Sequence, residues 1–155
     1  MSSWSWLSFV VLTILCWGAY VPALHEGQSA IGGRGKALWA FLFVGVAYVI
    51  VAVLAPLGLL ASRNDLSPLP STKGMLVSAL AGALGAVGAL GVILALMYGG
   101  RPTTVPPLVF SGAPIVATLI AMWLHRPSTA PSPLFYVGIV LAAVGAALVL
   151  RFKPG

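Results

Sequence analysis

Five long apolar runs decide what this chain can be. They cover roughly residues 4–24, 37–61, 75–98, 105–124 and 133–150. Each is long enough for a helix to cross a bilayer core, which takes about 20 residues at a rise of about 1.5 Å each. The runs are continuous, whereas a transmembrane barrel needs short alternating segments. Backbone groups in lipid must find their hydrogen bonds within the segment, so the runs are expected to be helices. Most of the 155 residues lie inside them, which leaves little for a separate domain in water. The expectation is an all-α integral membrane protein, a bundle of five transmembrane helices in which residues 1–155 form a single domain.

Composition excludes the soluble alternatives. The chain is 60% hydrophobic and 6% charged, against about 25% charged in a soluble domain. Its net charge of +6 comes from basic residues scattered singly between the runs. That is the pattern of membrane-flanking charge rather than of a nucleic-acid surface. Cys16 is the single cysteine, so no internal disulfide forms, and it sits in an apolar run as a small packing residue. No basic residue precedes the first run, as a secretory leader would require. Leu15 is too bulky to precede a lipoprotein cysteine, so residues 4–24 are expected to be a retained span.

The connectors "HEGQSAIGGRGK", "SRNDLSPLPSTK", "YGGRPTTVPP" and "HRPSTAPSP" are rich in glycine, proline and polar residues, and read as loops. Trp4, Trp6, Trp39, Tyr98, Trp123, Phe135 and Tyr136 fall near the run ends, as an interfacial aromatic belt would. The third run carries Gly82, Gly85, Gly88 and Gly91, which predicts close helix packing and a central place. The fifth has a small-residue stripe at Gly138, Ala142 and Gly145. In the fourth, Pro114 removes the N–H that the Phe110 carbonyl would use, beside Ser111. That is either a tolerated kink or a polar notch of the sort found in transporter helices.

The candidate pathway starts in "CWGAYVPALHEGQ", residues 16–28. Thr13, Trp17, Tyr20 and Leu24 share one helical face within about 60°. Glu26, one of two acids in the chain, is placed either to hold a proton or cation at the mouth, or to sit solvated in a loop near Arg34 and Lys36. Trp17, Tyr20, Glu26, Ser111 and Pro114 are the candidate pathway residues. There is no His/Cys/Asp/Glu set with metal spacing, no phosphate loop and no nucleophile–base set. No metal, no cofactor and no enzymatic activity are expected.

These motifs resemble one half of a drug/metabolite transporter of the EamA-like branch. The Trp17-Gly18 step in "CWGAYVPA" matches the end of the family's first helix. "SGAPIVATLIAMWLHRP" resembles its fourth helix and hairpin, and "YVGIVLAAVGAALVL", with Gly138 and Gly145, its fifth. The chain departs from the family at His125-Arg126, where a glutamate is common. The resemblance implies a five-helix unit that pairs with an inverted second unit and moves metabolites, drugs or sugars.

Five spans put the termini on opposite sides. Arg34, Lys36, Arg101, Arg151 and Lys153 then share one side, against Arg63, Lys73 and Arg126 on the other. This small bias favours an outside N-terminus and is weak enough for copies to insert both ways. The expected function is a small secondary transporter of a small metabolite in the cell (inner) membrane, multi-pass and acting as a homodimer of inverted units. A parallel dimer or a separate five-helix partner stays open. The partners are the lipid bilayer, a small-molecule solute and that second unit, with no nucleic acid. The rival from another class is a non-transporting scaffold or accessory subunit of a membrane complex.

Overall fold

The computed structural model describes residues 5–152, so Trp4 and Lys153 lie outside the described residues. The elements are α1 (Ser5–Ile31), α2 (Lys36–Tyr48), a π-helical segment (Val49–Leu54), α3 (Ala55–Ser62), α4 (Thr72–Met97), α5 (Val105–Leu124) and α6 (Pro133–Arg151). No strand occurs among the described residues. The segments α2, π and α3 run on as one span, Lys36–Ser62, so five helices are long and apolar enough to cross a membrane.

The last two spans begin where the sequence places them because their start signals are strong. Pro106 follows Val105 at the head of α5, where a missing N–H costs nothing. Ser132 caps α6, its hydroxyl accepting from the Leu134 N–H at 3.2 Å, and Pro133 follows. Ser71 caps α4 in the same way, accepting from Gly74 N–H at 3.2 Å.

Two expectations need correction. The first helix does not stop at residue 24 but continues through "HEGQSAI" to Ile31. Falling hydropathy marks where lipid ends, not where the backbone unwinds, and nothing in 25–31 breaks a helix. What ends it is Gly32, whose φ of 64° is left-handed, with its N–H donating to the Gln28 carbonyl at 3.1 Å. The loop therefore shrinks to residues 32–35, and His25, Glu26 and Gln28 belong to the helix. The second correction concerns the second span, expected as plain helix over 37–61, which widens into π geometry over Val49–Leu54. Pro56 accounts for it. Pro56 cannot donate to the Ala52 carbonyl and its ring crowds that turn, so the helix relaxes to longer bonds, such as Ala55 N–H to Ile50 carbonyl.

Contacts divide the chain into two compact units, one of residues 1–18 with 99–155 and one of residues 19–98. In the first, α5 and α6 pack as a hairpin. In the second, α2 packs on α4. The division falls inside α1, at Gly18. Gly18 is the middle residue of Ser5–Ile31, and Pro22, four residues on, leaves its carbonyl without a helical donor. The helix is weakest there.

Buried side chains are few. Val21, Leu24 and Gln28 form one stripe on α1, joined by Ala37 and Ala40 on α2 and Ile93 and Leu96 on α4. Every residue from 45 to 88 is exposed. That is affordable in a bilayer, where lipid tails are as apolar as leucine and apolar exposure carries no penalty.

Candidate functional site

Within the second unit, α1 and α2 diverge to leave an open cavity of about 850 Å³. Tyr20, Leu24 and Gly27 line it from α1, Phe43 and Tyr48 from α2, and Val51 from the π segment. None of its lining residues is charged. Gly27 contributes space: a Cβ there would meet nothing within 4 Å.

The cavity has a definite length. Tyr20 lies 11 residues before the end of α1 at Ile31. Tyr48 lies 12 residues after Lys36, where α2 begins. At about 1.5 Å per residue the lining, from Tyr20 to Ile31 on α1 and from Ala40 to Ala52 on the second span, runs some 16–18 Å along each wall. The Tyr20 hydroxyl is buried, whereas Tyr48, which also lines the cavity, is 54% exposed.

The sequence candidates fall in different places. Tyr20 lines the cavity. Trp17 belongs to the first unit, edge-on to Phe110 of α5 with ring centroids 5.8 Å apart. Such a pair adds about 0.5–1.5 kcal/mol beyond area burial, and it ties α1 to α5 four residues before Pro114. Ser111 donates to the Leu108 carbonyl at 3.1 Å, so its hydroxyl serves its own helix. Pro114 is exposed inside an unbroken α5. Thr13 likewise donates to the Phe9 carbonyl at 2.8 Å. Glu26 is exposed on α1 and does not line the cavity, although it lies about 60° and 40° round the helix from the lining residues Ala23 and Ala30. Trp17, Ser111 and Pro114 thus gather in one unit and Tyr20 in the other. A Cβ built on any of Gly82, Gly85, Gly88, Gly91, Gly138 or Gly145 meets nothing within 4 Å.

Two residues escaped the sequence reading. Tyr48 looks like one more aromatic in an apolar run, and only the pairing of α1 with α2 reveals it. Gln28 is 2% exposed, and its side-chain nitrogen has no hydrogen-bond partner among the described residues. Its signal was present: Val21, Leu24 and Gln28 are spaced three and four apart, a buried-face period. No group of three or more His, Cys, Asp or Glu side chains capable of holding a metal occurs among the described residues.

No protein-family model matches the chain, and neither a curated protein nor a solved structure does. What fold and composition define is a multi-pass α-helical membrane protein with five candidate spans.

Proposed function

We propose that this protein is a small secondary transporter that moves a small metabolite across the cell membrane. The observation that supports the reading is the open α1–α2 cavity of about 850 Å³, walled by Tyr20 and Tyr48 among apolar residues and without a charged lining residue. A cavity of about 300–1,000 Å³ is the usual size of a small-molecule site. The family resemblance points the same way and adds a second, inverted copy of the chain as partner.

The test is solute flux into proteoliposomes with a panel of labelled metabolites. Tyr20→Ala is expected to cut flux roughly tenfold, a barrier change of about 1.4 kcal/mol, with the protein still folded. Leu84→Ala, at an exposed site outside the cavity lining, is expected to leave flux within about twofold of the parent. Flux that is indifferent to Tyr20→Ala sinks the reading.

One observation favours a scaffold instead. The exposed stretch from 45 to 88 includes Gly82, Gly85 and Gly88 with nothing against them, a surface on which a partner helix could seat closely. A stable stoichiometric complex with another membrane protein, together with no flux for any solute, would establish that reading.

A further inference from the structure

We infer that the α1–α2 groove is a site for one anionic phospholipid, its acyl chain laid along the groove and its phosphate held at the turn that carries Arg34 and Lys36. The inference goes beyond the transport reading: a solute that uses the same cavity has to displace this lipid.

Exposure argues for the chain. Phe43, Tyr48 and Val51 line the groove, and each is more than half exposed. An apolar groove open along a membrane span meets lipid chains at a concentration no solute approaches, so mass action fills it with one. The length agrees. The lining runs some 16–18 Å along each wall, close to one leaflet, about half of a core about 30 Å thick. Charge argues for the head. The lining ends on α1 at Ile31, and Arg34 follows in the turn. Lys36 opens α2 one turn before the lining residue Ala40. No other lysine or arginine occurs between residues 5 and 62, so the cations stand at one end of the groove alone. Glu26, beside Ala23 and Ala30, is the one acid on these spans and offsets a single cation. An apolar groove with a net positive end is complementary to an apolar chain with a negative head. Trp39 connects the two parts. Its indole packs on Gly35, 3.3 Å from where a Cβ would stand, and stacks on Phe43 with ring centroids 6.3 Å apart. Tryptophan favours the headgroup level of a bilayer, and Phe43 belongs to the groove wall. The pair thus leads from the basic turn to the groove, the order of head and chain in a lipid.

The experiment releases the full chain from detergent micelles into a native mass spectrometer during titration with dioleoyl phosphatidylglycerol or dioleoyl phosphatidylcholine. One phosphatidylglycerol per chain should be retained, and phosphatidylcholine at least about tenfold more weakly. Arg34→Gln combined with Lys36→Gln should weaken phosphatidylglycerol about tenfold. Arg63→Gln combined with Lys73→Gln removes the same charge from the connection between α3 and α4, and should leave retention within about twofold of the parent. Ala47→Trp fills the groove from α2 and should abolish retention. Ala95→Trp, an exposed site on α4 outside the lining, is the folding control and should retain the lipid as the parent does. Equal retention of the two lipids, equal losses in the two charge variants, or full retention in Ala47→Trp overturns the inference. So does competition by glycerophosphoglycerol at the same concentration as the lipid, which would make a phosphate without chains the ligand. Disulfide crosslinking of two copies through cysteines at Ala47, with Cys16 replaced by serine, overturns it by making a second copy the occupant. The two readings fail separately. Lipid retention without flux of any solute removes transport and keeps the site. Flux that Tyr20→Ala abolishes, with no preference for phosphatidylglycerol, keeps transport and removes the lipid site.

Discussion

The second unit has two ends that behave differently. Where α1 finishes, α2 starts and α4 finishes, the buried residues gather: Val21, Leu24, Gln28, Ala37, Ala40, Ile93 and Leu96. At the other end α3 and the first half of α4 bury nothing. Both ends carry large apolar side chains, Leu24 and Ile93 at one and Leu57 and Leu80 at the other. Their presence alone therefore does not decide which end packs. At the packed end the buried residues differ in size, with alanines on α2 and Ile93 and Leu96 on α4, the helix on which α2 packs. The open end leaves its leucines, Leu57, Leu60, Leu76 and Leu80 among them, exposed beside glycine and alanine. In lipid, dispersion contact is what separates a packed helix from a solvated one, so the open end is poised for either lipid or a second chain.

The largest effect that sharpens this contrast is a matched pair of truncations. Ile93→Ala, at a fully buried site, should cost about 2–5 kcal/mol. Leu84→Ala, at an exposed site on the same helix, should cost less than about 0.5 kcal/mol. Reversible unfolding in mixed micelles measures both, and equal costs would erase the distinction between the ends.

A mid-sized effect is expected at Gly85, where a Cβ meets nothing within 4 Å. Gly85→Leu should leave the stability of the single chain nearly unchanged. If copies pair through the open end, it should weaken their association by about tenfold, or about 1.4 kcal/mol. Energy transfer between labelled copies in bilayers reports it, and unchanged association would leave that face to lipid.

The smallest shift is expected at Gln28, the one polar side chain on the buried stripe of α1. Replacing it by leucine removes an unpartnered donor, so Gln28→Leu should be neutral or stabilise by about 1 kcal/mol. A loss of 2 kcal/mol or more would mean that the amide has a partner in the membrane, and would break the picture of a purely apolar packed end.

Spans were legible in the sequence to the extent that their ends are chemical. α5 begins and ends at the residues its proline-flanked run suggests, and α6 runs one residue past the expected 150. α1 overruns by seven residues because polarity at His25 and Glu26 changes solvent preference without disturbing backbone bonds. The π segment was encoded in Pro56, a residue whose consequence appears four positions upstream. Tyr20 was recognisable from its helical face. Its cavity was not, since a cavity belongs to two helices, and nothing in the first span says which side of the second will face it.

The π segment gives the second span a screw. Its six residues, Val49–Leu54, hold one hydrogen-bond register more than an α-helix would. Reverting to α bonding would advance everything beyond it by one residue position. That is about 1.5 Å along the axis but about 100° around it. A slip too small to expose new backbone to lipid would turn α3 through more than a quarter of a revolution. Val51 and Ala52 lie both in this segment and in the cavity wall, so the shape of the cavity and the azimuth of α3 are geared to one another through a single turn of backbone.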